Sequence, residues 1–169
     1  MINLHCKLLI IKFDEIEILQ EIKRRVKEYL GCDVVDIKTS SYPKARMRFI
    51  QLNASDFLPT LVSLKNENGY DFVLGIVKAD LYLPHLNFVL GVAHPQESVC
   101  IISLARLRTS DRQQYIGRAV KEAIHELGHL FGLEHCNNPK CVMRFSNMVN
   151  ETDFKEEKYC EKCLKLLRK

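Results

Sequence analysis

Apolar and polar residues follow the pattern of an α/β protein in the first part of the chain. The apolar run KLLIIKF at 7–13 predicts a buried strand, and Asp14 directly after it is a candidate helix N-cap. Residues 14–31 then carry apolar side chains at helical spacing and end at Gly31, which predicts an amphipathic helix with a glycine stop. A second strand is predicted at 33–38. This β-α-β order predicts two parallel strands joined by a crossover helix.

The middle of the chain is predicted to complete a mixed sheet. Residues 55–65 predict a second, weaker helix, and residues 70–82 predict a third strand. Two further strand-like runs, 86–94 and 97–107, are joined by the dipeptide Pro-Gln. Because so short a link permits only antiparallel pairing, we expect one of these two strands to lie at a sheet edge.

The strongest helical pattern lies at 111–131, after a candidate capping box formed by Ser110 and Gln113. Its predicted inward-facing residues are Ile116, Ala119, Val120, Ala123, Leu127 and Leu130. Little periodicity follows Gly132 until a short terminal segment. We therefore expect one domain over residues 1–169, with the sheet and helices in 1–131 and a C-terminal segment in 132–169.

Composition and charge narrow the class of protein. The chain has 169 residues, 47% of them hydrophobic, which suits one globular domain with a sizeable core. Its net charge of +4 is mild and its Lys and Glu residues are interleaved, so we expect no nucleic-acid partner. The N-terminal apolar run of about five residues is too short for a signal peptide or a membrane span. We expect a cytoplasmic monomer with no membrane partner.

The seven cysteines fall into two groups. An odd number excludes a fully paired disulfide framework. Cys6, Cys32 and Cys100 lie singly in apolar surroundings and are expected to be buried small hydrophobes. The other four form a C-x4-C pair and a C-x2-C pair, the spacing of a four-thiolate structural zinc site: Cys136, Cys141, Cys160 and Cys163. Free thiols, or a redox C-x-x-C, are the alternative.

The stretch HELGHLFGLEH carries the candidate chemistry. His125 and His129 are four residues apart on the predicted helix and therefore share one face, where they can bind one metal ion. Gly132 can end the helix and turn the chain so that His135 becomes the third ligand. Zinc lowers the pKa of a bound water, and Glu126 is positioned to accept its proton as general base. Ordinary helix residues and a surface histidine are the alternative.

These motifs resemble those of a known family. HELGHLFGLEH resembles the metzincin clan of zinc peptidases, and the continuation CNNPKCVM followed by CEKC is similar to the archaemetzincin family. The resemblance implies a zincin-like α/β domain, in which a mixed twisted sheet with an antiparallel edge strand lies over an active-site helix. It also implies a C-terminal segment clamped by the four-cysteine zinc, hence two Zn2+ per chain. Met143 would form the turn beneath the catalytic site, and Phe145 stands where some metzincins carry a tyrosine.

The function expected is zinc-dependent hydrolysis of a peptide or protein substrate. A zinc-stabilised binding module with a vestigial histidine site is the rival hypothesis, although a purely structural site has no chemical need for Glu126. By analogy with metzincins, the run 86–94 is a candidate edge strand for binding substrate, or a strand that simply completes the sheet. His94 could overlook the cleft or lie on the surface. The choice between aminopeptidase and endopeptidase stays open.

Overall fold

A computed structural model describes residues 2–167 of the chain. Its strands are β1 (Lys7–Lys12), β2 (Val34–Thr39), β3 (Met47–Arg48), β4 (Gln51–Asn53), β5 (Phe72–Val77), β6 (Leu81–Tyr82), β7 (Gly91–His94) and β8 (Val99–Ser103). Its helices are α1 (Leu19–Leu30), α2 (Leu58–Asn68), α3 (Arg112–Leu130), α4 (Val149–Phe154) and α5 (Glu161–Leu167). Among the described residues, no helix is long and apolar enough to cross a membrane.

The main sheet has five strands in the order β2-β1-β5-β8-β7. The first four are parallel, and β7 pairs antiparallel with β8 at the edge, which confirms the predicted mixed sheet and its antiparallel edge strand. A smaller sheet has the order β3-β4-β6. The prediction of one strand over 70–82 is wrong. The chain leaves the main sheet after β5, and β6 pairs with β4 in the smaller sheet instead.

Both faces of the main sheet are buried. Leu8 and Ile10 of β1 face the core formed with α1 and α3, whereas Leu9 and Ile11 face the core formed with α2. This alternation explains why the strand is a continuous apolar run, since a parallel strand covered on both sides has no polar face. Helix α3 packs against β7, β8 and α1, and its predicted inward-facing residues are all buried. The fold therefore places α3 directly beside the edge strand.

One predicted helix start and one predicted helix cap are wrong because other contacts replace them. Helix α1 begins at Leu19 and not at Asp14, whose carboxylate accepts hydrogen bonds from the Lys78 backbone N–H and the Tyr42 hydroxyl. It ends as predicted at Gly31, where φ is 66°. Helix α3 is capped by Asp111, which accepts from two backbone N–H groups of the first turn, so the capping box predicted from Ser110 is absent.

The remaining boundaries differ in detail. Helix α2 begins three residues later than predicted, after a 3-10 turn at Ala54–Phe57. Strands β7 and β8 are shorter than the predicted runs. Their link is also longer than the dipeptide Pro-Gln, because it contains the 3-10 turn Pro95–Glu97 and then Ser98 with a φ of 57°. A left-handed residue is needed there to return the chain into β8.

Candidate active site

Three histidines converge at the C-terminal end of α3, as their spacing predicts. His125 and His129 project from the helix, and Gly132, with a φ of 89°, ends it and turns the chain towards His135. The ring centroids are 4.8, 4.9 and 5.3 Å apart. One nitrogen from each ring lies within 4.8 Å of the others, so the three can share one metal ion.

Backbone carbonyls fix the orientation of two of these rings. The Nδ1 atom of His125 is 2.8 Å from the Val142 carbonyl, and that of His129 is 2.8 Å from the Leu133 carbonyl. Because a carbonyl oxygen only accepts, Nδ1 carries the proton in each ring and Nε2 is left with a free lone pair. Burial lowers the pKa of His125 to about 3 and also lowers that of His129, so both rings are neutral and able to bind a metal ion.

The histidine geometry fits zinc. The two Nε2 atoms of His125 and His129 are 3.2 Å apart, and neither has a hydrogen to share with the other. Two facing lone pairs at this distance repel unless a cation lies between them. Tetrahedral zinc with nitrogen ligands at about 2.0–2.1 Å requires a ligand separation of about 3.3 Å.

Glu126 lies beside this cluster in a buried position, with strand β7 close against its side chain. Its side chain is buried, and burial together with the nearby Glu122 carboxylate raises the pKa of Glu126 well above its usual range. A Cβ added to Gly91 would lie only 2.6 Å from Cγ and 2.7 Å from Oε1 of Glu126. Strand β7 therefore fits against this carboxylate only because residue 91 has no side chain. Sequence reasoning missed Gly91, whose one signal is a glycine inside a strand.

The three histidines and Glu126 line a cleft of about 560 Å³. Strand β7 and the segment before it border the cleft, so the run predicted as an edge strand lies beside the histidines, although only Gly91–His94 is a strand. His94 itself does not line the cleft, and its buried Nε2 has no hydrogen-bond partner in the part of the chain that the structure describes. The apolar side chains of the lining are Leu83, Leu86, Phe88, Val89, Leu90, Val92, Ala93, Pro95 and Phe145.

A buried ion pair also lines the cleft and was not found from the sequence. The Lys155 ammonium group is 3.7 Å from Oε1 of Glu122 and donates to the Arg144 carbonyl at 2.9 Å. Both side chains are almost fully buried. Burial raises the pKa of Glu122, whereas Lys155 opposes that shift. The only signal in the sequence is the position of Glu122 one helical turn before Glu126.

The four C-terminal cysteines form a second, separate cluster. The Sγ atoms of Cys136 and Cys160 are 3.7 Å apart, as are those of Cys141 and Cys163, and all four lie within 4.8 Å of one another. Tetrahedral zinc with Zn–S bonds of about 2.3 Å requires a separation of about 3.8 Å between sulfurs. Distance and donor type therefore both fit a closed zinc site. His135 and Cys136 are adjacent but belong to different clusters, as predicted.

Met143 and Tyr159 pack beneath α3 between the two clusters. A Cβ added to Gly128 would lie 2.5 Å from the Met143 sulfur and 3.0 Å from the Tyr159 ring. The Tyr159 hydroxyl donates to the Ile124 carbonyl at 2.8 Å. Through Met143 and Tyr159, the segment that contains the four cysteines therefore packs against α3, the helix that carries His125 and His129. Phe145 lies with its ring 5.0 Å from that of His135.

The structure places a mixed sheet beside a helix that bears two histidines. A third histidine follows a glycine turn, and a buried methionine lies beneath the helix. This combination defines the metzincin class of zinc metallopeptidases. The model of peptidase family M54 matches residues 6–169. The chain therefore belongs to peptidase family M54, the archaemetzincin family.

Individual relatives agree with this assignment. An archaemetzincin of Pyrococcus abyssi is 50% identical over 125 residues, which are 70% of this chain and 66% of that protein, just under two thirds of its length. One of Methanopyrus kandleri is 41% identical over 90% of this chain and 87% of its own length. The crystal structure of the M. kandleri archaemetzincin superposes with a TM-score of 0.88, covering 97% of this chain and 94% of that chain. The crystal structure of an Archaeoglobus fulgidus archaemetzincin complexed with malonate superposes with a TM-score of 0.83 at 31% sequence identity. The match covers 95% of this chain and 99% of that chain.

Proposed function

We propose that this chain hydrolyses peptide bonds, with a catalytic zinc held by His125, His129 and His135 and with Glu126 as general base. The observation that carries the proposal is the convergence in a single cleft of one buried carboxylate and three imidazoles, each with a pKa that burial lowers. When bound there, zinc would supply a Lewis acid that lowers the pKa of water and polarises the peptide carbonyl. Three protein ligands leave a fourth position for this chemistry.

Glu126 would move the proton. Its carboxylate would accept a proton from the attacking water and deliver it to the nitrogen of the departing amine. The buried position supports this role, because the raised pKa of Glu126 makes its carboxylate a stronger proton acceptor than an exposed one. Gly91 and α3 hold the carboxylate in one place, which is the requirement for a general base of fixed geometry.

The substrate would lie along the edge of the main sheet. Among residues 2–167, strand β7 pairs with β8 on one side only, so its other side can pair with an extended peptide. The cleft beside it has a largely apolar lining, and this favours a substrate with bulky apolar side chains near the bond that is cut.

The cysteine cluster would hold a second zinc with a structural role. Cys136, Cys141, Cys160 and Cys163 would complete its coordination and leave no position for water. This zinc would hold the C-terminal segment against α3, including Met143 and Tyr159. A four-thiolate site requires reduced cysteines, which supports a cytoplasmic location. A monomer suffices, because all of the proposed ligands come from one chain.

Incubation of the zinc-loaded protein with a mixed peptide library tests this proposal. We expect cleavage products by mass spectrometry, and their termini will distinguish endopeptidase from aminopeptidase action. His129→Ala is the control and should yield no products while the cysteine zinc is retained. Uncleaved peptides with a protein carrying two zincs per chain would favour the rival function, a zinc-stabilised binding module.

A further inference from the structure

Cys6 and Cys32 form a thiol pair outside both candidate metal centres. Their Sγ atoms are 3.0 Å apart, and each residue is only 5% exposed. Both residues are buried, as their apolar surroundings predict, and the fold pairs them although they lie far apart along the sequence. Cys6 precedes β1 and Cys32 lies between α1 and β2, so the parallel pairing of β1 with β2 brings the two residues together.

We propose that Cys6 and Cys32 are an oxidation site, at which a hydroperoxide converts the two thiols into an intramolecular disulfide. A disulfide has a sulfur–sulfur distance of about 2.05 Å, so the two atoms need to approach by only about 1 Å. A hydrogen bond already holds the two backbone segments side by side, because the Asp33 N–H donates to the Cys6 carbonyl at 3.0 Å. Bond formation therefore requires small side-chain rotations and no rearrangement of the sheet.

The chemistry balances with hydrogen peroxide as the oxidant. One sulfur attacks the peroxide, forms a sulfenic acid and releases one water. The second sulfur then attacks the sulfenic sulfur, the S–S bond forms, and the hydroxyl leaves as a second water with the remaining thiol proton. Two thiols are oxidised and one peroxide is reduced to two waters. The hydrogen bond with Cys32 lowers the pKa of Cys6, which favours Cys6 as the first nucleophile.

The other cysteines differ from this pair. Cys100 is fully buried and has no hydrogen-bonded thiol neighbour within residues 2–167. The C-terminal cysteines are 3.7 Å apart in each of their close pairs, a spacing that fits metal coordination. Oxidation of the Cys6–Cys32 pair therefore does not depend on whether the C-terminal cysteine cluster holds zinc.

The disulfide would stabilise the N-terminal part of the fold. It would close a loop that contains β1 and α1. The segment before β1 already runs against the end of α1, where the N–H groups of Ile2 and Leu4 donate to the carbonyls of Tyr29 and Leu30. From the loop length, we expect the melting temperature of the oxidised protein to rise by roughly 7–14 °C.

The test is to treat the zinc-loaded protein with a small excess of hydrogen peroxide, denature it, alkylate free thiols and map the peptides. We expect a cross-linked peptide pair containing Cys6 and Cys32, lighter than the sum of its parts by two hydrogen atoms, that disappears on reduction. Cys32→Ser should abolish it, whereas Cys100→Ser, which removes another buried thiol, should leave it intact.

Full alkylation of both cysteines after peroxide treatment, or their separate conversion to sulfinic acid, would overturn the proposal. A cross-link without a rise in melting temperature would overturn its stabilising effect. Because peptide mapping and calorimetry need no peptidase assay, these results are independent of the proposed catalytic function.

Discussion

The most specific prediction concerns Gly91, the residue that leaves room for Glu126. Replacing it with alanine adds one Cβ at 2.6 Å from Cγ, 2.7 Å from Oε1 and 2.8 Å from Cδ of Glu126. Carbon atoms pack at about 3.5–4.0 Å, so the carboxylate or the strand must move by roughly 1 Å. Glu126 is buried against this strand and borders the cleft on its other side, so yielding to the new Cβ would shift the carboxylate from its place beside the histidines.

The expected cost falls mainly on catalysis. A displacement of about 1 Å in a catalytic group lowers the rate by roughly 100-fold. Overpacking also lowers the free energy of unfolding by about 1–3 kcal/mol. We therefore expect Gly91→Ala to bind zinc at wild-type stoichiometry, to remain folded, and to lose about two orders of magnitude in kcat/KM, with the loss in kcat larger than the change in KM.

A matched glycine on α3 serves as the control. A Cβ at Gly117 would meet only the flexible end of Glu157, at 3.6 Å. Gly117→Ala should keep wild-type activity and gain about 0.5–1 kcal/mol of stability, because alanine is the better helix former. Measuring kcat, KM and zinc content for both variants separates a catalytic effect at Gly91 from a general effect of replacing glycine with alanine. If Gly91→Ala retains activity within about threefold of wild type, the position of Glu126 is not what limits the reaction.

Three further predictions follow from other parts of the structure. His129→Ala should lower the zinc content from two per chain to one with little change in stability. Cys160→Ser should lose the other zinc and unfold the C-terminal segment, because a structural zinc supplies on the order of 10 kcal/mol of folding free energy. Elemental analysis measures the zinc content and proteolysis measures the unfolding, and a single zinc in the wild type would contradict this prediction. The hydrogen bond from Arg118 lowers the pKa of Asp153, so this pair stabilises the fold above the unfolded pKa of about 3.9 and loses its effect as the pH falls through the lower folded value. Asp153→Asn should accordingly cost about 1 kcal/mol at pH 7 in urea unfolding and almost nothing when Arg118 has already been replaced by alanine, and an equal cost in both backgrounds would refute the assignment. Phe49 is 93% exposed and has a φ of 55°, a left-handed conformation that costs less for glycine. Phe49→Gly should therefore raise the free energy of unfolding by about 1 kcal/mol, and a decrease would show that the Phe49 ring makes a stabilising contact.

The candidate metal ligands were predictable because their spacing is local. Histidines four residues apart on a helix share a face in any fold, and Gly132 allows the turn that brings in His135. The separation of His135 from Cys136 also follows from their adjacency, since neighbouring side chains of an extended segment point in opposite directions. Helix α3 and the edge position of β7 were predictable for the same reason: periodicity and link length are properties of short segments.

Features that depend on long-range contacts were not predictable. Asp14 has the residue type of an N-cap, but a backbone N–H sixty-four residues away binds its carboxylate instead. Gly91 matters only because β7 approaches Glu126 across the cleft. Lys155 reaches Glu122 from a segment with no periodicity, and the pairing of Cys6 with Cys32 depends on the register of two strands. In each case, the sequence shows the residue but not its partner.

The central claim is that Glu126 acts as the base beside a zinc held by three histidines. Glu126→Gln tests it most directly, because glutamine keeps the shape of the side chain but cannot accept the proton. Peptide hydrolysis and zinc content should be measured on the same zinc-loaded sample. We expect two zincs per chain, as in the wild type, and a kcat lower by at least about 100-fold. Wild-type hydrolysis by Glu126→Gln would contradict the account, since another group would then be moving the proton.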